Sequence, residues 1–219
     1  MKVGAFLFDL DGTLVDTETL WARAIVDMVN DRGAKVSLDS ILPTVIGRSW
    51  LDIDRDLHAR FPMLGNTTCE EDAVILREYY LKYATDKEAM KISPSIEFLK
   101  KVSTFAPCAI VSGSPHDDII AAAKLCGIEN DLSLVLGAGE YERGKPDPSG
   151  YLKAASILHV EPEACVVIED STVGVSAGLQ AGMKVIALDR GTSAVRQNYA
   201  GATWKVSSLS EIDIDKEFE

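Results

Sequence analysis

The sequence predicts an α/β protein, a doubly wound parallel sheet with an all-helical domain inserted after its first strand. Three observations lead there. Five short runs rich in branched residues, "KVGAFLF", "PCAIVS", "LSLVLGA", "ACVVIED" and "KVIALD", show no clean alternation of apolar and polar positions. That is how strands covered on both faces read. Helical patterns separate the last four runs, and strands alternating with helices imply right-handed crossovers. Between Asp16 and about Lys91, by contrast, nothing reads as a strand.

Taken in order, the first run ends abruptly at Asp9. Helices are expected near Glu18–Arg32, Trp50–Arg60 and Glu70–Lys87, joined by turn-like pieces such as "PTVIGRS" and "FPMLGNTT". Trp21 and Trp50 read as packing residues of these helices, and His58 and His159 as ordinary helix residues. "SIEFLKKVSTF" leads into the second strand, and "DDIIAAAKLCGI" leaves it with a glycine at its stop. "SGYLKAASILHV" and "VGVSAGLQAGM" fill the next two gaps, the glycines of the latter serving close helix–sheet packing. The expected division is 1–15 and 91–219 for the α/β core and 16–90 for the insert. The acidic tail "EIDIDKEFE" is expected to be peripheral.

The totals narrow the function classes. At 219 residues with 47% hydrophobic and 26% charged, the chain has the composition of a soluble globular protein. No apolar run approaches the ~20 residues that a membrane helix requires, and acids follow the first apolar run where a secretory signal would have a cleavage site. A formal net charge of -12 without a basic block argues against nucleic acid and anionic membrane as partners. Cys69, Cys108, Cys126 and Cys165 are scattered, with no C-x-x-C pair. Free thiols in a reducing cytoplasm are expected.

In an open parallel sheet, ligands bind beyond the carboxyl ends of the strands. The first strand ends in Asp9-Leu10-Asp11-Gly12 and the second in Ser112-Gly113-Ser114. The third is followed by Gly144-Lys145-Pro146-Asp147-Pro148, and the fourth ends in Glu169-Asp170-Ser171. Two acids placed this close repel each other unless a positive group lies between them. Clustered carboxylates beside a glycine turn suit Mg²⁺, whereas lysine, hydroxyl and turn amides suit a phosphate. The spacing fits, because next-neighbours in an extended segment share a side. Leu10 is then free to turn into the core.

"DLDGTLVDT", "VSGS", "GKPDP" and "VIEDSTVGVSAGLQAGM" resemble, in order, the four motifs of the haloacid dehalogenase superfamily, and the resemblance covers nearly the whole chain. The insert matches the subclass with a helical cap between the first two motifs, similar to sugar-phosphate phosphatases and β-phosphoglucomutase. The resemblance implies a Rossmann-like core and a cap that sets substrate choice. Asp9 is then the nucleophile that forms an aspartyl-phosphate, and Asp11 the acid that protonates the leaving oxygen and later deprotonates water. Mg²⁺ falls to the Asp9 carboxylate, the Asp11 backbone carbonyl and Asp170, with Glu169 in support. Ser112, the Gly113 amide and Lys145 hold the phosphoryl oxygens. In the cap, Arg48 and Arg77 become the candidates for substrate contact.

Hydrolysis of a small phosphorylated metabolite, a sugar or sugar-acid phosphate such as a hexose phosphate or 6-phosphogluconate, is the expected activity. The alternative is a β-phosphoglucomutase, but those mutases carry a histidine early in the first cap helix, where this chain has Trp21. Dehalogenases of the family lack Asp11. A phosphonate-cleaving member would require a Schiff-base lysine in the cap, and no lysine there is obviously placed for it. A non-catalytic binding protein is disfavoured because Asp9, Asp11, Lys145 and Asp170 are all present. A cytoplasmic monomer is expected.

Overall fold

The computed structural model describes residues 2–45, 50–83, 90–191 and 197–218. These divide into two compact units, Asp16–Met90 forming one and the residues before and after it the other.

The α/β unit carries a six-stranded, wholly parallel sheet: β1 (Ala5–Phe8), β2 (Cys108–Val111), β3 (Leu134–Leu136), β4 (Cys165–Glu169), β5 (Lys184–Leu188) and β6 (Trp204–Val206). Their order is β3-β2-β1-β4-β5-β6. The chain therefore winds outward from β1 in both directions, and the reversal falls between β1 and β4. The helices of this unit are α5 (Ser93–Val102), α6 (His116–Cys126), α7 (Ser149–Leu158), α8 (Thr172–Gln180) and α9 (Ile214–Phe218).

Alternate residues of each strand enter two separate cores. Phe6 and Phe8 join Ile110, Ile168 and Ile186 on one face, while Ala5 and Leu7 join Ala109, Val167 and Ala187 on the other. The period of two is real, but both phases are apolar, so no alternation shows in the sequence. The second face is lined by small residues, which lets α8 lie close. A Cβ at Gly178 would stand 2.9 Å from Val185 Cγ2 and 3.2 Å from Val167 Cβ.

Two features of this unit differ from expectation. The sixth strand was not anticipated, being three residues long and only half-buried, with Lys205 exposed at its centre. Nor is the acidic tail peripheral: Ile214 and Phe218 of α9 are buried. The Phe218 ring meets Phe6 at 5.2 Å, Trp204 at 5.4 Å and Phe98 at 6.3 Å, each edge to face. Asp213 and Asp215 are exposed, and the run of acids hides this apolar pair, four residues apart, from a compositional reading.

The other unit is helical: α1 (Thr17–Asp31), α2 (Leu38–Val45), α3 (Trp50–Arg60) and α4 (Cys69–Tyr83). Asp16 caps α1 by accepting from the Thr19 amide at 3.3 Å. Along α1, Ala22, Ile25, Met28 and Val29 form the inward stripe and pack with Ile41, Leu57 and Leu76. Helix α2 was not expected, since Pro43 lies inside it and marks a turn in the sequence. Ile41 and Val45, one helical turn apart, are both buried and hold it. The expected third helix is described only as far as Tyr83. Trp21 stacks on Tyr80 at 4.1 Å, and the Trp50 indole donates to the Cys69 carbonyl at 3.1 Å. Both tryptophans are thus packing residues of this unit.

Truncating Phe218 to alanine is expected to destabilise the protein by about 3–5 kcal/mol, the usual cost of emptying a phenylalanine site. Urea unfolding measures this, and a loss below about 1 kcal/mol would return the tail to the periphery.

Candidate active site

The end of β1 places the first acid. The Asp9 amide continues the sheet by donating to the Ile168 carbonyl at 3.0 Å, and its side chain is buried. Leu10 turns away into the core. The chain then coils tightly: the Gly12 amide donates to the Val15 carbonyl at 2.7 Å and the Leu14 amide to the Leu10 carbonyl at 2.8 Å. Gly12 has φ +84, and a Cβ there would collide with the Asp170 carboxylate. Glycine is required at this position on both counts.

Lys145, from the loop after β3, is the centre of the group. Its ammonium donates to Asp9 Oδ1 and to the Val111 carbonyl at 3.0 Å, and lies 2.6 Å from Glu169 Oε1. Burial alone would lower its pKa, but Asp9 and Glu169 together hold it well above its ordinary value. The Asp9 carboxyl is pushed by burial up to about 8, opposed by Lys145 and reinforced by Glu169 and Asp11.

Glu169 is fully buried, and both of its oxygens are held. Oε1 accepts from the Tyr151 hydroxyl at 2.8 Å, and Oε2 accepts from Ser171 Oγ at 3.0 Å. The same serine caps α8, where it accepts from the Gly174 amide at 3.1 Å. Gly174 differs from Gly178 in purpose, since a Cβ on it would overlap the Glu169 carboxylate. Burial and then Glu169 raise the Tyr151 phenol well above its ordinary pKa, which keeps it a donor.

Asp11 lies beside the end of β2. Its Oδ2 accepts from Ser114 Oγ at 2.7 Å and from Ser112 Oγ at 3.4 Å. Ser112 Oγ in turn accepts from the Ser114 amide at 3.0 Å, and the Tyr141 hydroxyl donates to the Ser112 carbonyl at 2.8 Å. Ser112 does not cap α6, whose N-cap is Pro115. Beside Gly113 the space that a Cβ would take is open.

Asp9, Asp11, Ser112, Lys145, Glu169 and Asp170 thus come together at the strand ends. Arg48 lies outside the described residues. Arg77 is exposed on α4, in the helical unit. Tyr151, Ser114, Ser171 and Gly174 complete the cluster, yet their roles were not read from the sequence. Ser114 at least stands in the "SGS" turn, whereas nothing in "SGYLKAAS" marks Tyr151 as more than a helix residue.

One oxygen from each of Asp9, Glu169 and Asp170 lies within 4.8 Å of the others. An all-oxygen donor set suits a hard dication. Three carboxylates against one ammonium also leave negative charge for it to balance. The residues present fit Mg²⁺.

A parallel sheet with this centre beyond its middle strands defines an α/β enzyme. The model of the haloacid dehalogenase-like hydrolases matches residues 3–182, and the chain belongs to that family. It is 31% identical to hexitol phosphatase A of Escherichia coli (strain K12), over 99% of this chain and 96% of that protein. It is 26% identical to the 6-phosphogluconate phosphatase of the same strain, over 84% and 81% respectively. Its fold superposes on the crystal structure of a putative beta-phosphoglucomutase from Thermotoga maritima with a TM-score of 0.77. That match is 23% identical and covers 98% of this chain and 99% of the other. Family and relatives place the chain among the phosphoric monoester hydrolases.

Tyr151→Phe removes one hydroxyl from a buried carboxylate and leaves the ring in place. A stability loss of about 1–3 kcal/mol is expected in urea unfolding. An unchanged midpoint would show that the hydroxyl does not hold Glu169.

Proposed function

We propose that this protein is a Mg²⁺-dependent phosphatase acting on a small phosphorylated polyol, sugar or sugar acid, such as a hexitol or hexose phosphate or 6-phosphogluconate. One observation carries the proposal: two carboxylates one residue apart, Asp9 and Asp11, leave the end of a central strand beside a buried lysine. Asp9 is bound by the Lys145 ammonium, whereas Asp11 is held by serine hydroxyls. Different surroundings give the two acids different roles.

In the first half-reaction an Asp9 oxygen attacks phosphorus, the bond from phosphorus to the ester oxygen breaks, and Asp11 gives its proton to that oxygen. An aspartyl-phosphate and the free alcohol result. In the second, Asp11 takes a proton from water as the water oxygen attacks phosphorus, which restores the Asp9 carboxylate and releases phosphate. Lys145, Ser112 and the Gly113 amide are assigned to the phosphoryl oxygens, where fixed donors lower the barrier. Magnesium, held by Asp9, Asp170 and the Asp11 carbonyl with Glu169 in support, supplies charge neutralisation of the phosphoryl group.

Residues 16–90 are assigned to substrate choice, with Arg48 and Arg77 as candidates. The identities with hexitol phosphatase A and 6-phosphogluconate phosphatase support the polyol and sugar-acid class. The mutase alternative is disfavoured by Trp21: it stands where the mutases carry a histidine and is occupied in stacking on Tyr80. No helix among the described residues is long and apolar enough to cross a membrane. A cytoplasmic monomer completes the proposal.

The test measures phosphate released from a panel of hexitol, hexose and sugar-acid phosphates with Mg²⁺, beta-glucose 1-phosphate included. Release is expected on one or a few of them, abolished by chelator and by Asp9→Asn. Asp11→Asn should lower kcat about 10²–10⁴-fold, the usual worth of a general acid–base. Conversion of beta-glucose 1-phosphate to glucose 6-phosphate without release would establish the mutase instead.

A further inference from the structure

The helical unit holds a second cluster of chemically active side chains. Asp54 and His58 are four residues apart on α3, so they share one side of it. Asp72, in the first turn of α4, meets them there. His58 Nε2 lies 2.6 Å from Asp72 Oδ2 and 3.8 Å from Asp54 Oδ1. One donor atom of each residue lies within 4.8 Å of the others. Asp72 Oδ2 also accepts from Thr67 Oγ1 at 2.8 Å. His58, expected to be an ordinary helix residue, is held between these two acids.

These contacts leave an excess of acceptors. Asp72 is 1% exposed and Asp54 8%, yet Oδ1 of each is buried without a hydrogen-bond partner. An orphaned buried acceptor has lost its water without a replacement partner, which is destabilising. Two carboxylates also stand against at most one imidazolium.

We propose that Asp54, His58 and Asp72 form a binding site for a zinc-type dication, separate from the carboxylates at the strand ends. Mixed imidazole and carboxylate donors favour such ions over magnesium, and two donors four residues apart on a helix are a known way of holding zinc. Zinc bonds of about 2.0–2.1 Å place neighbouring tetrahedral donors roughly 3.3 Å apart. The observed separations of 2.6 and 3.8 Å bracket that value. The ion takes up the orphaned Asp54 Oδ1, replaces the proton between His58 and Asp72, and joins α3 to α4.

The test uses the full chain stripped of metal and carrying Asp170→Asn to weaken the strand-end carboxylates. It is titrated with Zn²⁺ in a calorimeter, and its melting temperature is followed. One equivalent is expected to bind and raise that temperature, and adding His58→Gln should weaken the binding at least tenfold. Asp54→Asn decides the matter if the His58 variant does not fold. No Zn²⁺ equivalent in the Asp170→Asn chain, or binding that neither substitution changes, overturns the site and leaves a protonated His58 between two acids.

Discussion

The ammonium of Lys145 touches three adjacent strands at once: Asp9 just past β1, the Val111 carbonyl of β2 and Glu169 of β4. The centre of the sheet depends on this group. Buried ions cost several kcal/mol each, and removing one partner of a buried pair leaves the other uncompensated, at about 3–5 kcal/mol. The surroundings show how Glu169 is kept from that fate. Its oxygens are met by lysine, tyrosine and serine, and Gly174 makes way for the carboxylate. The same contacts fix where Asp9 stands, because strand pairing sets its backbone and Lys145 sets its carboxylate.

Much of this centre was legible in the sequence because buried strands end abruptly. Asp9, Glu169 and Asp170 each terminate an apolar run, so a parallel sheet gathers them without further information. Lys145 was legible from "GKPDP" in its place among the ordered motifs. What could not be read is whatever depends on contacts across the fold. Tyr151 holds Glu169 only because α7 packs against the small-residue face of the sheet, and the sequence around it is that of any buried helix. Ser171 was hidden by performing two tasks, capping α8 and bonding Glu169. The sixth strand was missed because three half-buried residues carry too little pattern.

The helical unit was read less well. Pro43 disguised α2, though the burial of Ile41 and Val45 outweighs the one backbone hydrogen bond that a proline forgoes. The grouping of Asp54, His58 and Asp72 was equally hidden. The first two share a helix face by spacing, but Asp72 joins them through the packing of α4 on α3. Helical sequences announce their inward stripe, not which neighbour meets it.

The strand order has a consequence for how the protein comes into being. β1 is made first, yet it lies in the interior of the sheet, between two strands made much later. Phe6 pairs with Cys108 on one side and with Val166 on the other. A chain growing from its N-terminus therefore carries Asp9 on a very apolar strand with one edge unpaired until β4 exists. Contacts so distant along the chain form slowly. Synthesis must pass Glu169 before the site can assemble, so a truncated product ending between Lys145 and that residue contains Asp9 and the lysine but no closed centre.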